Sequence, residues 1–222
     1  MKKEFRNLLL IGIAVVLLVG IGILVMNLTQ QNNGTNQVAD KNLLMHDDSW
    51  STAGNVPYKY SVTVVEFADF QCPGCAYAEP IVKKLASEYQ GKVNFVFREF
   101  PLPQHQNAVL AAEAAEAAGS QGKFWEMHST IYEHQNDWVE NTNAMDIFVQ
   151  YAKDLGIDTD KFKQDIVNEK FMQRIQRDRD DAVKLGVNAT PSFFINGKIY
   201  DGGISYSELK TQIDAELKAT SS

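Results

Sequence analysis

The sequence predicts an α/β domain built on a mixed sheet, with an inserted helical domain and one transmembrane helix before it. Three observations lead there. Residues 61–97 read as strand, helix, strand; residues 107–185 are helical in pattern throughout; and residues 192–200 carry a two-residue hairpin signal. An uncharged apolar run at residues 8–26 supplies the membrane helix.

That run, LLLIGIAVVLLVGIGILVM, follows Lys2, Lys3 and Arg6. At a helical rise of about 1.5 Å per residue it is about 28 Å long, close to the hydrocarbon thickness of a bilayer. A cleaved signal peptide has a shorter apolar core and a small-residue cleavage site, and NLTQQNNGTNQ downstream has no such site. The segment therefore reads as an uncleaved anchor. Its positive flank at residues 1–7 stays in the cytoplasm and everything after residue 28 lies outside, in a compartment where a paired cysteine can remain oxidised. The expected order is anchor at 8–28, polar tether and lead-in at 29–57, and folded domain at 58–218 with its helical insertion at about 104–186.

Within the domain, SVTVVEF at 61–67 and VNFVF at 93–97 are β-branched and apolar enough for buried strands. Between them Pro73 suits the first helical position, and Ala78, Ile81, Val82 and Leu85 share a face before Gly91 stops the helix. A strand–helix–strand unit of this length has parallel strands and a right-handed crossover. Helices follow at 107–119, 123–134, 144–155 and 159–185, the last with a break near Asn168. Asn196-Gly197 between SFFI and KIY marks a tight hairpin. A closing helix starts at Ser205, where Ser205 and Glu208 form a capping box.

The chain has 222 residues, 21 Lys+Arg against 28 Asp+Glu, and a net charge of -7. With no basic run after residue 6, nucleic-acid binding lacks its electrostatic footprint. Cys72 and Cys75 are its only cysteines, which excludes a disulfide framework and a four-cysteine zinc site. They frame Cys72-Pro73-Gly74-Cys75 where the first strand meets its helix. Free N–H groups and the dipole of a helix start favour a thiolate at Cys72, while Cys75, one turn in, is shielded. Residues three apart on a turn are close enough to form a disulfide, and the intervening Pro73 and Gly74 tune how far the two redox forms differ. A disulfide closing so short a loop stabilises little, so redox chemistry is the better reading of the pair.

These residues resemble the thioredoxin superfamily, and most closely its DsbA-like branch of membrane-anchored or secreted thiol-disulfide oxidoreductases. Glu66 stands six positions before Cys72, as the family's buried acid does; Pro80 falls where thioredoxins kink the active-site helix; and Thr190-Pro191 looks like the family's cis-proline loop. The resemblance implies a thioredoxin fold with a mixed four- to five-stranded sheet and an inserted helical domain. It implies Cys72, Cys75 and Glu66 as catalytic residues, Thr190 and Pro191 as the substrate-binding loop, and no cofactor or metal. It further implies exported proteins with reduced cysteines as substrates and a membrane redox partner that reoxidises the dithiol. The Pro-Gly dipeptide is not the Pro-His of the best-known oxidases, so a reductase or isomerase stands as an alternative, and a non-enzymatic metal-binding domain using the two cysteines as another. The remaining polar signals read as structural. His46, His105, His128 and His134 have no spacing that converges on the cysteines, His128 and His134 fit a surface or core edge, and Asp178, Asp180 and Asp181 among Arg174, Arg177 and Arg179 fit a solvated helix face.

Overall fold

The structure is a computed structural model and describes residues 38–53 and 60–220. The expected transmembrane helix lies outside the described residues, as does the tether up to residue 37. Among the described residues no helix is long and apolar enough to cross a membrane.

Short elements lead in. Helix α1 (Lys41–Leu44) is capped by the Asp40 side chain, which accepts from the Asn42 N–H, and β1 (Trp50–Ser51) follows. Then come β2 (Val62–Ala68), α2 (Pro73–Glu88) and β3 (Val93–Glu99), the strand–helix–strand unit expected from the sequence. The helical stretch resolves into α3 (Ala108–Gly119), α4 (Phe124–Glu133), α5 (Gln135–Trp138), α6 (Ala144–Asp154), α7 (Thr159–Val167) and α8 (Met172–Lys184). The break falls between α7 and α8, beside Asn168. Strands β4 (Ser192–Ile195) and β5 (Lys198–Tyr200) and helix α9 (Tyr206–Thr220) close the chain.

Among the described residues the strands form one five-stranded sheet in the order β1-β3-β2-β4-β5. Only β2 and β3 are parallel. Strand β1 is the member that the sequence left unassigned, since two residues are too short to show a period. The β4–β5 turn places both Asn196 and Gly197 at positive φ, as a tight hairpin requires. At the start of α9 the Ser205 hydroxyl accepts from the Glu208 N–H and donates to the Glu208 carboxylate, which gives half of the expected capping box.

Both faces of β2 are covered, which explains why apolar residues point to both of its sides. Val62 and Val64 pack with Leu85 of α2 and with Leu209 and Ile213 of α9, whereas Val65 and Phe67 pack with Leu44, Ala182 and Phe194 on the other side. A third core joins the helical block to the end of the sheet and contains Cys72 and Cys75 together with Phe70, Phe97, Phe124 and Trp138. Burying each such side chain contributes roughly 1.5–3 kcal/mol, so the block is fixed by its own core to the end of the sheet that carries the two cysteines. Helix α3 permits that approach because its alanines present no bulk; Ala111, Ala112, Ala114, Ala115, Ala117 and Ala118 are all fully buried.

One predicted surface is core instead. Asp178 and Asp181 are buried and, with Arg98 of β3, make an internal ionic cluster: Arg98 lies 2.9 Å from Asp178 and 3.0 Å from Asp181, and donates to the Leu43 carbonyl at 3.0 Å. These acids sit three apart on α8, on the stripe facing β3, and two cations balance them: the Arg98 guanidinium, with no exposed side-chain surface, and Lys184, 3.2 Å from Asp181.

Candidate active site

Strand β2 ends at Ala68 and α2 begins at Pro73, so the loop between them carries the first cysteine as the helix N-cap. Proline suits this start because the first helical N–H has no partner within the helix. The Cys72 N–H donates to the Asp69 carbonyl at 3.0 Å, and the Cys75 N–H donates to the Cys72 carbonyl at 3.1 Å. Both cysteines are free thiols here. Cys72 is more enclosed than a helix start implies, at 8% exposed against 1% for Cys75, because the Thr190-Pro191 loop and the helical block close over it.

The loop that the sequence places 118 residues downstream meets the first thiol. Thr190-Pro191 is a cis peptide, and the Cys72 Sγ donates to the Thr190 carbonyl at 3.3 Å. The Thr190 hydroxyl is buried without a partner and is available to a thiolate beside it. Gly74 lies under the same loop: a Cβ there would be 3.3 Å from Pro191 Cδ and 3.6 Å from Cys72 Sγ.

The two thiols are pushed apart in acidity. Cys72 is lowered to about 5, chiefly by the Cys75 thiol donating to it; burial opposes this, and Thr190 and the N–H groups of Cys75 and Gly74 add to it. The helix start thus contributes through particular N–H groups, with its partner thiol ahead of them. Cys75 is pushed far up, first by burial, then by its donation to Cys72 and by the charges of Glu66 and Cys72. One sulfur is a thiolate at neutral pH and the other a thiol.

Glu66, paired across the sheet with Phe97 and Phe193, is buried and faces a cavity of about 380 Å³ bounded by β2, β3, α2 and α4. Burial raises its pKa to about 8, with Glu79 and Cys72 adding to the rise. Glu66 is near enough for its charge to act on Cys75, and a carboxylic acid with so raised a pKa holds its proton near neutrality. His128 lines the same cavity, 4.6 Å from the Phe97 ring and buried rather than at an edge. Its spacing from Phe124, Ile131 and Tyr132 puts it on the buried stripe of α4, and burial lowers its pKa to about 3.

Sequence reasoning missed a polar clasp around the cysteine turn. Asp69 is buried and accepts from the Gln71 N–H, the Leu102 N–H and His105 Nδ1, each at 2.7 Å, while its own N–H donates to Cys75 Sγ at 3.5 Å. Gln71 bridges to Asn107 and Val139, and Gln135 donates to the Phe70 and Cys72 carbonyls. An Asp at a strand end two residues before a free N–H signals an Asx turn and was legible; His105 and Gln135 reach the turn only through the fold. Among the described residues no three His, Cys, Asp or Glu side chains gather as a metal site.

Residues 58–215 match the Thioredoxin_4 family, described as thioredoxin. Among solved structures the chain is similar to oxidised BdbD from Bacillus subtilis, with 30% identity, a TM-score of 0.64, and coverage of 71% of this chain and 88% of that one. It is also similar to a thioredoxin-like oxidoreductase from Silicibacter pomeroyi DSS-3, with 28% identity, a TM-score of 0.68, and coverage of 81% and 99%. Alpha-DsbA1 of Wolbachia pipientis shares the fold at a TM-score of 0.70 and 22% identity, over 81% of this chain and 96% of that one. The curated relative Na(+)/H(+) antiporter NhaA 1 of Salinispora arenicola is 38% identical over 165 residues, which is 74% of this chain and 24% of that protein. NhaA 3 of Salinispora tropica is 40% identical over 158 residues, 71% of this chain and 23% of that protein, so the chain spans about a quarter of the length of these curated relatives. The match over residues 58–215, the likeness to BdbD across most of its length and the paired thiols beside a cis-proline loop lead to one assignment: the chain belongs to the DsbA-like branch of the thioredoxin superfamily.

Proposed function

We propose that this protein is an extracytoplasmic thiol-disulfide oxidase, held at the cell membrane by residues 8–28, that introduces disulfides into exported proteins through Cys72 and Cys75. The observation that carries the reading is the placement of Cys72 at the start of α2 with its Sγ 3.3 Å from the carbonyl of the cis Thr190-Pro191 loop, while Cys75 is enclosed one turn in. These surroundings hold Cys72 down, to about 5, and push Cys75 up. A stabilised Cys72 thiolate is a good leaving group, and that favours passing the disulfide on to a substrate.

In the reaction a substrate thiolate attacks Cys72 Sγ of the protein disulfide. The Cys72–Cys75 bond breaks, its electron pair goes to Cys75, and Cys75 takes a proton, for which Glu66 is the nearby buried acid. A second substrate thiolate then attacks the substrate sulfur of the mixed disulfide and releases the Cys72 thiolate. The substrate loses two electrons and the protein gains them. Thr190 and Pro191 border Cys72 where a substrate chain would lie, and Pro73 and Gly74 tune the thiolate from within the turn. A membrane redox partner would reoxidise the dithiol, and the exchange itself requires no cofactor. The antiport named for the Salinispora proteins is not carried over, because the match covers about a quarter of their length.

Mixing the oxidised protein with a reduced two-cysteine test protein, and counting free thiols on both, tests the reading. The oxidase reading expects the test protein to lose two thiols as the enzyme gains two. Transfer only in the opposite direction would make it a reductase, and metal uptake without any exchange would favour the binding-domain alternative.

A further inference from the structure

Asp69 grips both halves of the dithiol turn through its backbone. Its carbonyl accepts from the Cys72 N–H at 3.0 Å and its N–H donates to Cys75 Sγ at 3.5 Å. Its side chain is fully buried, and its two oxygens take three donors: the Gln71 N–H on one, the Leu102 N–H and His105 Nδ1 on the other. A carboxylate can only accept, so the hydrogen lies on Nδ1 of His105. His105 sits in the loop that leads from β3 into the helical block, with its side chain 20% exposed. The peptide beside the two sulfurs is therefore fixed by a residue from outside the βα unit. We propose that Asp69 and His105 are a positioning pair for the exchange reaction, holding the Asp69 N–H on the sulfur of Cys75 as that sulfur departs.

The inference rests on the thiol-disulfide reading above. When a substrate thiolate attacks Cys72 Sγ and the Cys72–Cys75 bond breaks, the electron pair arrives on Cys75 before its proton does. This sulfur is enclosed, so an N–H aimed at it stabilises the developing charge, and a donor already in place needs no reorganisation. Without His105 the carboxylate keeps two of its three donors, and the Asp69 N–H is held less firmly against Cys75. Cys72 draws its own stabilisation from other groups, so its thiolate stays as it was.

The test uses His105→Phe and His105→Gln in the full-length protein, with reduced glutathione as the attacking thiol. Expected for His105→Phe is a fall of about tenfold in the rate of attack on the protein disulfide, the scale of a lost hydrogen bond to a charged group. Iodoacetamide should label Cys72 of the reduced variant within about twofold of the wild-type rate, since that thiolate has its own donors. His105→Gln, whose side-chain amide can still donate to Asp69, should recover most of the exchange rate. An unchanged exchange rate in His105→Phe would overturn the proposal, as would a parallel fall in Cys72 labelling, which would indicate general loosening of the turn. Amide hydrogen exchange at Asp69 provides an arm independent of catalysis. It should speed up in His105→Phe and return in His105→Gln, and no change there also overturns the proposal. If the wild-type disulfide is inert to glutathione, the functional reading fails while the amide measurement still decides the clasp.

Discussion

Cys72 Sγ lies 3.3 Å from the carbonyl oxygen of Thr190, a residue 118 positions further along the chain. The contact joins the strand–helix junction of the parallel unit to the start of the antiparallel hairpin, and β2 between β3 and β4 is the strand that brings them together. As a thiol Cys72 donates to that carbonyl. As a thiolate it instead draws on the Cys75 thiol, the Thr190 side chain and the N–H groups of Cys75 and Gly74.

Reactivity follows from that asymmetry. With Cys72 lowered to about 5 and Cys75 raised, iodoacetamide at pH 7 should alkylate Cys72 on the order of a hundredfold faster than Cys75. The Cys72 rate should rise through about pH 5 and then level off. Mass spectrometry of the labelled peptides reads both rates, and a rise centred near the free thiol value of about 8.5 would contradict the assignment.

Glu66 makes a prediction about pH. Its folded pKa, about 8, lies above its ordinary value of 4.5. A group raised in this way contributes stability that is complete below 4.5 and is lost as pH rises through about 8, where a buried carboxylate must ionise. Glu66→Gln keeps the shape and removes the ionisation, so its urea midpoint relative to wild type should be higher at pH 9 than at pH 5. Under the proposed mechanism, in which Glu66 supplies the proton to Cys75, turnover of Glu66→Gln against a reduced test protein should fall.

Arg98 is expected to be the most sensitive charge. Its side chain has no exposed surface and faces Asp178 and Asp181 at 2.9 and 3.0 Å. Arg98→Met removes their fully buried cation and leaves Asp181 with Lys184 at 3.2 Å and Asp178 with Arg177 at 3.8 Å, both partly exposed, so the loss should be about 3 kcal/mol, the low end for a broken buried pair. Urea titration of the variant measures the loss, and adding Asp181→Asn should recover part of it.

Gly119 tests how β1 holds the helical block. A Cβ at this position would stand 2.3 Å from the Trp50 ring. Gly119→Ala must therefore move Trp50 off its stack on Phe124, at 4.3 Å, and away from its 2.9 Å hydrogen bond to Glu116. The expected destabilisation is about 1–3 kcal/mol, accompanied by a change in tryptophan fluorescence.

The βα unit, the hairpin and the cysteine turn were legible in the sequence because each is a local signal. Pro73 marks a helix start, Asn196-Gly197 a tight turn, and the buried run before Glu66 a central strand. What remained hidden depends on elements distant in sequence. Asp178 and Asp181 read as solvated because nothing local reveals that Arg98 lies across from them. His105 showed no relation to the cysteines because its partner is Asp69, 36 positions earlier. His128 was misplaced because the face of α4 that it occupies becomes core only when the block packs on the sheet.

The most direct test of the oxidase account compares urea midpoints of the oxidised and reduced protein. The depressed Cys72 pKa adds stability to the folded reduced form above the ordinary thiol value of 9.0, and that stability is lost as pH falls through about 5. At pH 7 the reduced protein should therefore unfold at the higher urea concentration, with the gap narrowing toward pH 5. An oxidised form that is clearly the more stable at pH 7 would contradict the oxidase account and put a reductase in its place.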